Sequence, residues 1–111
     1  MDIKIEKLLE DYCIEKGFRK WEDDNELLDI LRELKEVKKE LIDKHRWWNE
    51  YEYIVKLGDT YIRYIYADTT GDMSPSEAGY DFEPDSICEM EQIEKTITTY
   101  IIKKEENKND V

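Results

Sequence analysis

The chain has 111 residues, 29 of them acidic and 17 basic, for a net charge of −12. That length supports one hydrophobic core and not two. The charge argues against nucleic acid or an anionic membrane as a direct ligand, since both need clustered Lys and Arg. No run approaches the ~20 apolar residues of a membrane span, and Met1–Lys7 lacks the apolar run of a secretory signal. A cytoplasmic protein is the expectation.

Charged residues make up 41% of the chain, well above the ~25% of ordinary domains. The apolar residues of 1–104 are nevertheless periodic, so a single ordered α+β domain is predicted there. Glu105 to Val111 carries one apolar residue and is predicted to be a disordered tail.

Residues 2–16 read as a helix. Ile5, Leu8, Leu9 and Tyr12 recur at helical spacing, flanked by Ile3 and Cys13. Gly17 should stop it, with Phe18 as the apolar contact of the cap. Asp23 or Asp24 opens a second helix, and Glu26 three residues beyond Asp23 suggests a capping box. Leu27, Ile30, Leu34, Val37 and Leu41 then alternate spacings of three and four. That seam, continued by Lys44 and Trp48, predicts a long helix to about Arg46. Leu28, Leu31 and Ile42 widen the stripe, which favours packing within the chain. The seam also suits self-association as a homodimer.

From Tyr51 the period becomes two. The runs 51–57 and 60–67 flank Gly58-Asp59, a two-residue hairpin turn. Pairing Leu57 with Thr60 sets Val55 opposite Ile62, Tyr53 opposite Tyr64 and Tyr51 opposite Tyr66, all on one face. A one-residue slip destroys that agreement. Ser74-Pro-Ser-Glu77 reads as a helix start that Gly79 ends after about one turn, with Tyr80 and Phe82 folding back onto the core. Ser86–Glu91 and Lys95–Lys104 read as a second hairpin, the latter rich in β-branched residues. The predicted architecture is an N-terminal helical hairpin on a four-stranded antiparallel sheet of two hairpins, with a helical turn between them.

Catalytic machinery is not visible. His45, the single histidine, is expected near the end of the long helix, where its protonated form suits the dipole. General acid–base work would need an oriented partner that the sequence does not identify. One histidine and two distant cysteines, Cys13 and Cys88, match no zinc pattern, and reduced, buried thiols are expected. Asp68 and Asp72 bracket Thr-Thr-Gly and could hold calcium or magnesium, but Asp and Gly are default turn residues and the EF-hand pattern is absent. No cofactor or resident metal is expected. Of Trp47 and Trp48, one should anchor the helix on the sheet while the other lies half exposed.

The acids are unevenly spread. Tyr64 to Glu94 contains no Lys or Arg, yet holds Asp68, Asp72, Glu77, Asp81, Glu83, Asp85, Glu89, Glu91 and Glu94. Acidic loops are soluble loops, and solubility alone is one explanation. The other is an electrostatic surface for a basic groove, which would speed encounter and lose affinity with salt.

Residues 66–79, Tyr-Ala-Asp-Thr-Thr-Gly-Asp-Met-Ser-Pro-Ser-Glu-Ala-Gly, and 86–90, Ser-Ile-Cys-Glu-Met, resemble small uncharacterised acidic proteins of Gram-positive phages and prophages. The likeness covers roughly 47–103 and carries no catalytic motif. In size and acidity the chain is also similar, by type, to anti-CRISPR and other anti-defence inhibitors, several of which occupy nucleic-acid clefts as acidic mimics. That resemblance implies an inhibitor in the host-cell cytoplasm, binding a CRISPR effector or another basic host protein through the nine acids. Two alternatives stand beside it. One is a self-associating structural or regulatory phage protein using the Leu27–Leu41 seam; the other is a small metal-binding module at Asp68 and Asp72.

Overall fold

A computed structural model describes residues 1–69 and 71–103. The expected tail 105–111, and Lys104 at the end of the expected last strand, lie outside the described residues. Two helices, α1 (Ile3–Glu15) and α2 (Asp24–Glu33), precede four strands: β1 (Lys35–Lys44), β2 (Trp48–Leu57), β3 (Thr60–Thr69) and β4 (Cys88–Met90). The strands form one antiparallel sheet in the order β1-β2-β3-β4. The fold is α+β with a helical N-terminus on a four-stranded sheet, as the sequence indicates.

Local chemistry explains the helix ends. The Asp2 carboxylate caps α1 by accepting the Lys4 N–H at 3.0 Å. At the other end Gly17 takes φ 81°, the Phe18 N–H donates to the Cys13 carbonyl and the Gly17 N–H to that of Ile14, a Schellman cap. Phe18 is 54% exposed and does not supply the apolar contact expected of it. Asp23 caps α2 through the Glu26 N–H at 2.8 Å, and the Glu26 carboxylate reaches back to the Glu22 N–H at 2.7 Å. This is a capping box displaced by one residue.

The long second helix is not there. The chain leaves the helix at Leu34, whose ψ of 162° is extended, and the next ten residues form β1. The seam is therefore cut in two. Leu27 and Leu34 are buried and Ile30 half buried, whereas Val37 and Leu41 sit exposed on a strand. No helical dimer seam survives. Only Val37, Leu41 and Ile42 are apolar in Lys35–Lys44, too few to hold a further helix against the core. As a strand, the same residues satisfy the outer backbone groups of β2, which would otherwise form an open edge. Bulges between Glu36 and Lys38 and between Leu41 and Asp43 absorb the misfit of a three-four pattern with a period of two.

The central hairpin has the predicted register at every rung, from Leu57 opposite Thr60 to Tyr51 opposite Tyr66. Gly58 takes φ 59° at its turn. One face of the sheet places Tyr53, Val55, Ile62 and Tyr64 in a single core with Ile5, Leu9, Leu27, Leu28 and Leu31 from the helices. The other face, with Ile54, Tyr61, Arg63 and Ile65, stays half buried.

The second hairpin is also absent. Cys88–Met90 pairs with β3, but 91–103 form neither helix nor strand. The linking residues Glu91-Gln92-Ile93-Glu94 contain no Gly, Pro, Asn or Asp, so nothing there closes a turn. The fourth strand of the sheet is instead β1.

Candidate functional site

The acidic residues are carried by β3, by the chain that returns along its edge, and by β4 and the residues just beyond it. Asp68 lies near the end of β3, Asp72 and Glu77 in the loop after it, and Asp81, Glu83 and Asp85 on the returning segment. Glu89 is in β4, and Glu91 and Glu94 lie past its end. All nine are exposed.

The return is built by short-range bonds. The Ser74 hydroxyl accepts the Glu77 N–H at 3.2 Å, and the Tyr80 N–H donates to the Pro75 carbonyl at 2.9 Å. Gly79, at φ 96°, ends this single helical turn. Beyond it the side chains alternate. Tyr80 packs edge-on against Trp48 and Tyr66, both at 5.8 Å, and Phe82 against Tyr66 at 6.2 Å. Asp81, Glu83 and Asp85, between and after them, point outward. Tyr80 and Phe82 do fold back onto the core.

Ser86 fastens this segment to β3. Its hydroxyl donates to the Glu83 carbonyl at 2.7 Å and accepts the Ile65 N–H at 3.1 Å; its carbonyl accepts from Arg63 Nε at 3.2 Å. With Ser86 9% exposed, truncation strands a poorly solvated N–H. Ser86→Ala is expected to cost about 1–3 kcal/mol, read by urea denaturation. An unchanged midpoint would show that the tether is dispensable. Nothing in the sequence distinguished Ser86.

Two of the nine acids are ion-paired: Asp68 with Lys39 at 2.9 Å and Glu89 with Lys4 at 2.8 Å. The other seven make no ion pair among the described residues. The Asp68 hydrogen bond holds the Lys39 ammonium well above its ordinary pKa. The same ammonium lies 4.4 Å from the Tyr51 ring centre, a cation–π contact. The opposite edge of the sheet differs in sign. There β1 carries Lys35, Lys38, Lys39 and Lys44 against Glu36, Glu40 and Asp43.

His45 does not end a helix. It begins the β1–β2 turn, where its N–H donates to the Trp48 carbonyl at 2.8 Å and its ring stacks on Trp48 at 5.0 Å. Trp48 is the inner tryptophan. Trp47 is 50% exposed, with the Arg46 guanidinium 4.7 Å from its ring centre. Cys13 and Cys88 are free thiols, Cys13 buried and Cys88 half buried. Burial, then Glu33 and Glu10, pushes the Cys13 thiol pKa up, which makes it a poor nucleophile. Among the described residues no three His, Cys, Asp or Glu side chains converge to hold a metal ion, and no helix is long and apolar enough to cross a membrane.

Compared with known proteins, the chain matches no protein-family profile, no curated protein and no solved structure.

Proposed function

We propose that this protein is a non-catalytic inhibitor that binds a basic, nucleic-acid-handling surface of another protein through its acidic sheet edge. The observation that carries the reading is the alternation along 80–83, closed by a single 3-10 turn at Pro84–Ser86. Apolar and aromatic side chains anchor one side while Asp81, Glu83 and Asp85 stand free on the other, with Ser86 fixing the backbone between them and β3. Asp81 and Glu83, on alternate residues of the chain before the 3-10 turn Pro84–Ser86, would stand about 7 Å apart on an extended backbone, roughly twice the ~3.4 Å axial charge spacing of one DNA strand, and Asp85 follows within the turn. A groove shaped for phosphates would meet a sparser but pre-ordered row of negative charge.

The likeness to phage proteins and, by type, to anti-CRISPR inhibitors favours a partner in a host defence system, with a CRISPR effector as the leading candidate. The free thiols suit the reducing host cytoplasm. Asp68 does not favour the metal-binding alternative, because its carboxylate is engaged by Lys39.

The test is capture of host proteins on the immobilised chain at low and high salt, repeated with D81K/E83K/D85K. Capture should weaken with salt, and the triple reversal should lower the association rate by ~10–1,000-fold with unchanged circular dichroism. Equal capture by the reversed chain would overturn the proposal.

A further inference from the structure

The segment Lys95–Lys103 is the most strand-prone stretch without a strand partner. It reads Lys-Thr-Ile-Thr-Thr-Tyr-Ile-Ile-Lys, and its large side chains are almost bare: Ile97 is 75% exposed, Tyr100 91%, Ile101 88% and Ile102 92%. Apolar residues this open on a β-prone backbone are a template for pairing. Its charge is also unlike that of the rest of the chain. Within an overall −12, these nine residues hold two lysines, one at each end, and no acid.

A matching surface exists on the sheet. The outer backbone edge of β4 has no partner among the described residues. Beside it, on the face away from the helices, Val37, Ile54, Tyr61 and Met90 line a groove of about 300 Å³. Asp59, Glu89 and Glu91 border Tyr61 and Met90. An apolar strip with basic ends thus has as its complement an apolar groove whose surroundings hold three acids against one base, Lys38, itself paired with Glu40. The strip cannot readily reach its own β4, because Glu91–Glu94 supplies no turn residue and takes no positive φ. An extended link that cannot turn back is the usual hinge of strand exchange.

We infer that Lys95–Lys103 of one copy pairs with β4 of a second copy and lays its apolar side chains over the Val37–Met90 groove, giving a reciprocal, strand-exchanged dimer. Nine extended residues reach about 30 Å, long enough to cross from one copy to the next. A two-fold exchange closes on itself and leaves neither segment bare. The inference does not rest on the acidic-edge proposal: it shares Glu89 and Glu91 with that edge as the rim of the groove but makes no use of Asp81, Glu83 and Asp85, which the triple reversal tests.

Sedimentation of the full chain over a range of concentrations tests it. The expected mass is twice 13.5 kDa, and amides of 96–102 should be protected from exchange. I97E/I101E should weaken dimerisation at least ~100-fold with unchanged helical circular dichroism. Y100K, a milder variant, should weaken it less. A wild-type chain that stays monomeric at every concentration overturns the inference, whether its 96–102 amides are open or are protected by its own sheet. A dimer that persists in I97E/I101E overturns it too, since its contact must lie elsewhere.

Discussion

Ile62→Ala is expected to destabilise the fold by about 2–5 kcal/mol, the usual range when a large aliphatic side chain in a core is cut to a methyl group. Ile62 is fully buried near the start of β3, paired with Val55 on one side and Glu89 on the other. The change removes packing, leaves a cavity and replaces a β-branched residue in a central strand. Against a total of about 5–15 kcal/mol for a domain of this kind, it would lower the melting temperature by ~10–30 °C. Thermal and urea unfolding measure it. Ile3→Ala is the control: Ile3 flanks the predicted apolar stripe but is 82% exposed, so its loss should stay within about 0.5 kcal/mol. Equal effects at the two sites would contradict the packing described.

Alkali should be the second strong perturbant. Burial pushes the Tyr64 and Tyr80 phenols up to about 12 from their ordinary value of 10.0, because a phenolate is poorly solvated inside the core. Below about pH 10 both folded and unfolded chains keep these protons, and the stability is fully present. Between about 10 and 12 only the unfolded chain releases them, so stability falls with rising pH. At ~1.4 kcal/mol per unit, the two groups together could remove up to about 5 kcal/mol. Denaturation midpoints across this range should decline steeply, and Tyr64→Phe should flatten the decline. A flat profile in the wild type would show that the phenols reach water without unfolding.

What could be read from the sequence was whatever local chemistry decides. Gly17, Asp23, Gly58 and Ser74 each impose a backbone geometry on their immediate neighbours, and the structure has those features where expected. The central hairpin was legible because its turn and its face pattern agree independently. The helix-to-strand switch at Leu34 was not, because its cause is remote: the unpaired edge of β2 draws Lys35–Lys44 into the sheet. The β1–β2 turn at Arg46-Trp47 falls where the sequence marks a junction between helix and sheet, and with no Gly, Asn or Pro it carries no signal of a hairpin. Of the candidate surface, the base-free stretch was plain. Its ordering depends on Ser86 meeting Ile65, and on Lys39 reaching across β2 to Asp68, contacts between residues 21 and 29 positions apart.

The backbones of β1, with four lysines against three acids, and of β4, with Glu89 and with Glu91 just beyond it, stand at opposite margins of one sheet, three strand spacings or about 14 Å apart, and Lys39 reaches inward from its margin to Asp68 of β3. The sheet therefore carries its unpaired negative charge unevenly, nearly neutral at one margin and acidic at the other. At physiological ionic strength the screening length is about 8 Å, shorter than that separation, so a charged neighbour at close range feels one margin more than the other. Its field would turn the protein as well as attract it, presenting the acidic margin before any side chains meet. Orientation on approach would then be set by the strand order itself.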